Sequence, residues 1–218
     1  MPSTLGQALA NESGVHIVRK STQIIWGELD LSLLGINRDW HGESFHPPVA
    51  YCLAMDPECL WFIAAREHAA RLHPQARPGR YMPELWKYDV AELFLANPGT
   101  GRYLELNLAP NGAWWSGVFS GPRVTDTAAE QEIPGVSTHS ELAPGGGWVT
   151  ALSMPLKELH DLLDFGESSV GNATFILDSP DQRFLSATEL GGGEPDFHRP
   201  EKLAKLRFHE ETLSGLEV

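Results

Sequence analysis

Two cysteines in 218 residues are too few for a disulfide scaffold. They flank a turn at Asp56-Pro57, and a hairpin folded there puts Cys52 near Trp61 and Cys59 near Ala54. That offset along the ladder is poor geometry for a bridge, so both read as buried thiols. No apolar run approaches the roughly 20 residues of a membrane span, and residues 1–14 lack the basic-then-apolar pattern of a leader. The expectation is a cytoplasmic protein with no membrane partner, although a removed leader would leave the same sequence. Basic residues are also scarce, 16 against 29 acidic for a net charge of −13, which argues against nucleic acid as a partner. Signatures of chemistry are missing too: there is no HExxH, CxxC pair, EF-hand loop or G-x-S-x-G. His41-x4-His46 and Phe197-His198 are spacings that nine histidines produce by chance. Nothing sets an oligomeric state.

What the chain does have is turns. Its 21 glycines and 16 prolines punctuate short apolar segments, the pattern of many strands rather than a helical bundle. Strands are expected over 16–19, 23–29, 49–54, 60–65, 91–95, 102–109, 114–119, 136–142, 148–153, 174–178, 183–186 and 205–208. Residues 31–43 read as irregular. A long loop over 66–84 has room for one helical turn at 67–72. Helical periodicity is confined to 156–163, where Leu156, Leu159 and Leu163 form a stripe, Pro155 sits in the first turn and Ser153 is a plausible N-cap. The fold expected is all-β: a two-sheet, mainly antiparallel sandwich with one short helix. A flexible tail is expected over residues 1–14 and a single domain over 15–218.

Residues 85–115 are the most informative. Two strand-like segments flank Pro98-Gly99-Thr100-Gly101, and three of the seven tryptophans lie here. In the second segment Leu104, Leu106 and Leu108 share one face, and Tyr103, Glu105 and Asn107 the other, as in a half-buried strand. In the first, Glu92 shares a face with Val90 and Phe94. A carboxylate there must be partnered or functional, because burying it alone is expensive. Trp86 reads either as core or as a ligand platform, and Glu92 as a ligand contact or the partner of an arginine. Asp89 reads as a cap at the start of the strand. Trp114 and Trp115, being adjacent, face opposite ways, one to the core and one outward. Arg66, Arg71, Arg77 and Arg80 make a positive loop just upstream, expected to lie near Trp86.

The run Trp86-x-x-Asp89-x-x-Glu92-x-Phe94, followed by a turn and Tyr103-x-Glu105, resembles family 9 carbohydrate-binding modules. So does Pro195-Asp196-Phe197-His198-Arg199-Pro200 with the short strand ending at Phe208, and the resemblance spans most of residues 22–209. It implies non-catalytic binding of a neutral mono- or oligosaccharide between two aromatic walls, and an association with polysaccharide degradation. Trp86 matches the first wall and Glu92 a polar contact. Phe197 stands where a tryptophan is usual, and Glu194 where the family can present an amide. The binding arginine has no clear counterpart, with Arg80, Arg102 and Arg123 among those that could substitute. Ser186-Ala187 lacks the expected Ser-Trp pair. Trp86, Glu92, Phe197, Glu194, Arg80 and Trp115 are therefore the candidate ligand residues. The alternative is a glycoside hydrolase using Glu92 with Glu105 or Asp196, provided that Glu92 and Glu105 share a face. No cofactor is expected. Some members of that family bind structural calcium, and no matching acidic loop is evident; related DOMON-like sandwiches hold haem between Met and His, for which Met82 and His198 are the formal counterparts.

Overall fold

Asp56 closes the first long hairpin. Its carboxylate accepts the backbone N–H groups of Glu58 and Cys59 at 2.8 and 2.7 Å, an Asx turn that asks no donor of Pro57, which has no N–H. The computed structural model describes residues 14–210. The strands are β1 (Val15–Arg19), β2 (Leu34–Arg38), β3 (Ser44–Met55), β4 (Cys59–Arg66), β5 (Val90–Asn97), β6 (Arg102–Leu108) and β7 (Trp114–Gly121). There follow β8 (Val124–Thr125), β9 (Ser137–Leu142), β10 (Trp148–Pro155), helix α1 (Leu156–Leu163), β11 (Val170–Leu177), β12 (Arg183–Ser186) and β13 (Ala204–Glu210). They form one path in the order β8-β7-β6-β5-β11-β13-β1-β3-β4-β10-β9, with β12 beside β11 and β2 beside β3. β1 runs parallel to both β13 and β3; the other ladders are antiparallel.

The path folds over on itself as a β-sandwich. Leu93 and Leu95, then Leu104, Leu106 and Leu108, and Phe175 of one half share a core with Tyr51, Leu53, Leu60, Phe62, Leu152 and Met154 of the other. Phe175 meets Tyr51 and Phe62 across the layers, with ring centroids 6.3 and 6.5 Å apart. Each such side chain contributes roughly 1.5–3 kcal/mol of burial. Leu159 and Leu163 of α1 join the same core, so the helix covers one end of the sandwich.

Several expectations need correction. Residues 23–29 form no strand. Glu28 N–H bonds to Ile25 O in a turn, and Ile24, Trp26, Leu29 and Leu31 lie as a loop over the outer face of β3, β4 and β10. Their apolarity signalled burial, which a covering loop provides as well as a strand. A strand instead occupies Leu34–Arg38, within the stretch read as irregular, and residues 67–72 are not helical. Ser153 does not cap α1: its hydroxyl pairs with that of Ser137 at 2.7 Å, and Pro155 holds the N-cap position. Cys52 faces Ile63, two residues from the position expected, and both cysteines are free. Most consequentially, β6 is buried on both faces, so Tyr103, Glu105 and Asn107 are not presented to solvent. The tail expected over 1–14 lies, apart from Gly14, outside the described residues.

Candidate functional site

The outer face of β5, β6 and β11 carries alternate residues of each strand. Glu92 stands between Asn107 on one neighbour and Thr174 on the other, and Glu105 lies opposite Phe94. Glu92 and Glu105 are thus diagonal neighbours on one face, within reach of a common ligand. The segment before β13 folds back across this face. Arg199 ties it down by donating to the carbonyls of Leu190 and Gly192 at 3.1 and 3.0 Å, and Trp40 Nε1–H bonds to Gly193 O at 2.8 Å. Phe197 packs against Phe94, Phe184 and Trp40, at centroid distances of 6.4, 6.0 and 5.9 Å.

Between sheet and loop lies a pocket of about 260 Å³. Trp86, Phe184 and Phe197 wall it; Glu92, Glu105, Asp196, His198 and Arg123 supply charge and hydrogen bonds. A larger hollow of about 740 Å³ lies elsewhere, lined mainly by Leu33, Pro47, Pro48, Leu142 and Trp148. The charged residue within it that could bind a ligand anion, Arg66, is committed to Asp178 at 2.6 Å. The smaller pocket gathers titratable groups displaced from their ordinary values, which is the better mark of function.

Those displacements have physical causes. Burial, and then the nearby Glu105 charge, push Glu92 well above the usual carboxylate range, against the one hydrogen bond it accepts, from Thr174 Oγ1 at 3.2 Å. Burial lifts Glu105 to about 7, opposed by the Asn107 amide, which donates to it at 3.0 Å, and by Arg123. Burial and the Arg123 charge lower His198 to about 4, so its ring is neutral at physiological pH. The network assigns its tautomer. Arg123 N–H donates to Tyr103 Oη at 3.0 Å, leaving the phenolic proton for His198 Nδ1 at 2.8 Å. Nε2 then keeps its hydrogen and faces Glu105 Oε2 at 3.6 Å. Burial also drives the Tyr103 phenol up to about 12, preserving it as that donor. Asp196 is the opposite case: burial would raise it, but the His198 N–H and the Arg123 guanidinium, 2.7 Å away, hold it below its ordinary value.

No protein-family model matches the chain. Curated relatives do. The UPF0462 protein C4orf33 homolog of Rattus norvegicus is 31% identical over 154 residues, 66% of this chain and 70% of the rat protein. The Mus musculus homolog is 30% identical over 152 residues, 66% of this chain and 72% of its own length. The chain belongs to the UPF0462 family. Among solved structures, a candidate carbohydrate-binding protein from Bacteroides uniformis is similar with a TM-score of 0.67 at 19% identity, covering 90% of this chain and all of that one. A family 9 carbohydrate-binding module from Caldicellulosiruptor kristjanssonii in complex with glucose gives 0.59 at 14% identity, covering 92% and 98%. At these identities the shared property is the fold.

On that fold the UPF0462 chain brings together three of the six candidate ligand residues: Trp86, Glu92 and Phe197 line the one pocket. The other three do not line it. Arg80 lies in the loop whose backbone pairs with Trp114. Trp115 lies over Gly117, where an added Cβ would come within 2.3 Å of its ring. Glu194 gives its backbone carbonyl to Arg199 at 3.3 Å. Trp114 is the core member of its pair. Asp89 accepts the N–H groups of Arg71 and Ser179 at 3.1 and 2.9 Å and stays outside the pocket. None of the four loop arginines lines the pocket either; its arginine is Arg123, from the turn between β7 and β8. Met82 is not in the lining, and His198 Nδ1 and Nε2 face Tyr103 Oη and Glu105 Oε2. Among the described residues no three His, Cys, Asp or Glu side chains are placed to hold a metal ion.

Sequence reasoning left open whether Glu105 shares the face of Glu92, and the signal was present. A four-residue turn at 98–101 pairs Asn97 with Arg102, and counting back puts Glu92 opposite Asn107 and therefore on the side of Glu105. Phe184 and Gln182, by contrast, reach the pocket from β12 and the turn before it, and no local pattern marks them.

Proposed function

We propose that this protein binds a carbohydrate, a mono- or oligosaccharide, non-catalytically in the pocket between Trp86 and Phe197. The observation that carries the reading is the convergence of an exposed indole with buried polar groups. Trp86 is 49% exposed at the rim, whereas Glu92 and Glu105 lie buried on the floor beneath. A sugar ring needs that combination: an apolar face for its axial C–H groups, and fixed donors and acceptors to replace water at its hydroxyls. With Glu92 driven well above the usual carboxylate range by burial and Glu105 lifted to about 7, the floor combines acceptor oxygens with a carboxyl that is partly protonated at neutral pH, to meet hydroxyls that need both. The solved modules of similar fold, in complex with glucose and with cellotriose, lend further support, as does the sequence resemblance to family 9 modules.

Catalysis by Glu92 and Glu105 is the second reading, favoured by their shared face. A glycosidase, however, sets its two carboxylates on opposite sides of the scissile bond, and these rise from adjacent strands of one floor. Titration calorimetry against glucose, cello-oligosaccharides and other common sugars tests the primary reading, and product analysis on the same mixtures tests the second. Saturable heat without turnover is expected. Hydrolysis abolished by Glu92→Gln would replace binding with catalysis.

A further inference from the structure

The floor of the pocket has more acceptors than its own donors can serve. Glu92 receives one hydrogen bond, from Thr174. Glu105 receives the Asn107 amide and faces His198 Nε2 at 3.6 Å. Asn107, just beneath the lining, sits directly across the ladder from Glu92 and bonds Glu105, so its amide adjoins both acids. It is 1% exposed, and its Oδ1 has no donor. A buried acceptor left unmet is destabilising, and here it adjoins two carboxylates that already crowd each other.

Among the described residues no cation hydrogen-bonds to either acid, although the Arg123 charge favours their ionised forms. Arg123 is bound to Asp196 at 2.7 Å. His198 accepts from Tyr103 and stays neutral. Lys87, 5.5 Å from the Trp86 ring centroid, is an exposed side chain tied to Glu84 at 2.5 Å. What is missing is one small cation with several N–H donors, in a cavity walled by the aromatic rings that cations favour. The pocket is small, about 260 Å³, and suits one ring rather than a chain. A net charge of −13 draws such a guest inward.

We propose that the preferred ligand is an amino sugar whose protonated amine sits between Glu92 and Glu105, with its ring against Trp86. This rests on the sugar-binding reading for the ring, but the ammonium seat stands on the acids and Asn107 alone, and it replaces the neutral ligand expected from sequence. Binding has a proton balance. With Glu105 at about 7, the empty pair is partly protonated at neutral pH; the ammonium keeps its own proton, so the carboxyl proton leaves to the buffer. The titratable groups facing the seat are Glu92, Glu105, Tyr103, His198 and Asp196, with Arg123 as fixed charge.

The test is calorimetry at pH 7 with glucosamine, glucose, N-acetylglucosamine and cyclohexylammonium, each in two buffers of different ionisation enthalpy. Glucosamine should bind at least about tenfold more tightly than the two neutral sugars, the worth of one charge-assisted hydrogen bond, and its heat alone among the sugars should vary with buffer. In Glu105→Gln, which keeps an acceptor oxygen at the same place, the glucosamine-to-glucose affinity ratio should fall towards one. Equal or tighter binding of glucose would overturn the ammonium seat and leave the sugar reading standing. Binding of cyclohexylammonium but of no sugar would defeat the sugar reading and retain the seat. Silence from all four ligands would overturn both, and a ratio unchanged in Glu105→Gln would overturn the seat.

Discussion

Each outer face of the sandwich buries acid, and the two faces treat it in opposite ways. Beneath the loop carrying Ile24 and Trp26, Asp56 accepts four N–H groups, from Ile24, Glu58, Cys59 and the Trp61 indole, at 2.7–3.1 Å. Burial alone would raise it, but the four donors outweigh burial and leave its pKa lowered. Beneath the loop carrying Phe197, Glu92 and Glu105 are as little exposed but lie deeper in the protein, share few donors, and are driven up. A satisfied acid fastens structure. An unsatisfied pair, held in place by a rigid sheet, keeps its hydrogen-bonding capacity for something else.

The comparison is broken most directly at Asp56. Asp56→Ala strands four donors at once and should cost about 3 kcal/mol or more, since each charge-assisted bond contributes roughly 1.5–3 kcal/mol. Urea or thermal unfolding measures it. A loss below about 1 kcal/mol would mean that the face holding Asp56 is no better satisfied than the other. Because the folded pKa of Asp56 is depressed, its contribution is present above the unfolded carboxylate value and lost as pH falls through the folded one.

Glu105 should behave in reverse. Its folded pKa, about 7, lies above the unfolded value of 4.5, so the folded state holds a proton that the unfolded state has released. Stability therefore falls as pH rises between these values, by up to about 1.4 kcal/mol per unit. His198 works against it in much of that window. Its folded value near 4 makes its contribution grow as pH rises to about 6.5. Relative to wild type, Glu105→Gln should tilt the stability profile upward with pH between 4.5 and 7, because the opposing His198 contribution remains, and should leave the variant more stable at pH 8. His198→Gln should steepen the decline. Unfolding midpoints measured across that range for the three proteins check both; parallel profiles would show the pair to be as well satisfied as Asp56.

How far the contrast could be read from sequence depends on the element. The period-two run of Leu104, Leu106 and Leu108 and the helix stripe at 156–163 were legible because each reflects a local periodicity. Glu92 stood out because a charge on an apolar face is locally anomalous. The burial of Glu105 and Asn107 was not legible, because it depends on a loop ninety residues later folding back over β6. The strand expected at 23–29 failed for the same reason: its apolar side chains are real, but their partner is a distant sheet face and not an adjacent strand. Trp40 and Arg199, which fasten the Phe197 loop, act through backbone carbonyls and leave no sequence signature.

A smaller effect is expected at Phe197. Phe197 stands where the resemblance to family 9 modules places a tryptophan, so on sequence grounds Phe197→Trp restores a larger sugar-binding face. In the fold the ring is 6% exposed and enclosed by Phe94, Phe184 and Trp40. An indole there overpacks, at about 1–3 kcal/mol, and should lower the melting temperature without tightening sugar binding. A tighter-binding variant of unchanged stability would show that the wall has slack.

The smallest stability change should come from Trp86, and it separates the two faces most cleanly. Trp61, beneath the Ile24 loop, is buried and donates its indole N–H to Asp56. Trp86 is half exposed on a short 3-10 turn, Leu85–Lys87, held by its backbone: its carbonyl accepts from Gln182 Nε2 at 2.9 Å. Truncating a buried tryptophan costs about 3–5 kcal/mol, and Trp61→Ala should approach that. Trp86→Ala keeps the backbone bond and removes a ring that is already half in water, so its cost should be under about 1 kcal/mol, while saturable sugar heat disappears. Melting temperature and calorimetry on the two variants give the contrast directly. A Trp86→Ala protein that unfolds as readily as Trp61→Ala would make that indole a structural anchor, and one that still binds sugar at wild-type strength would remove it from the site.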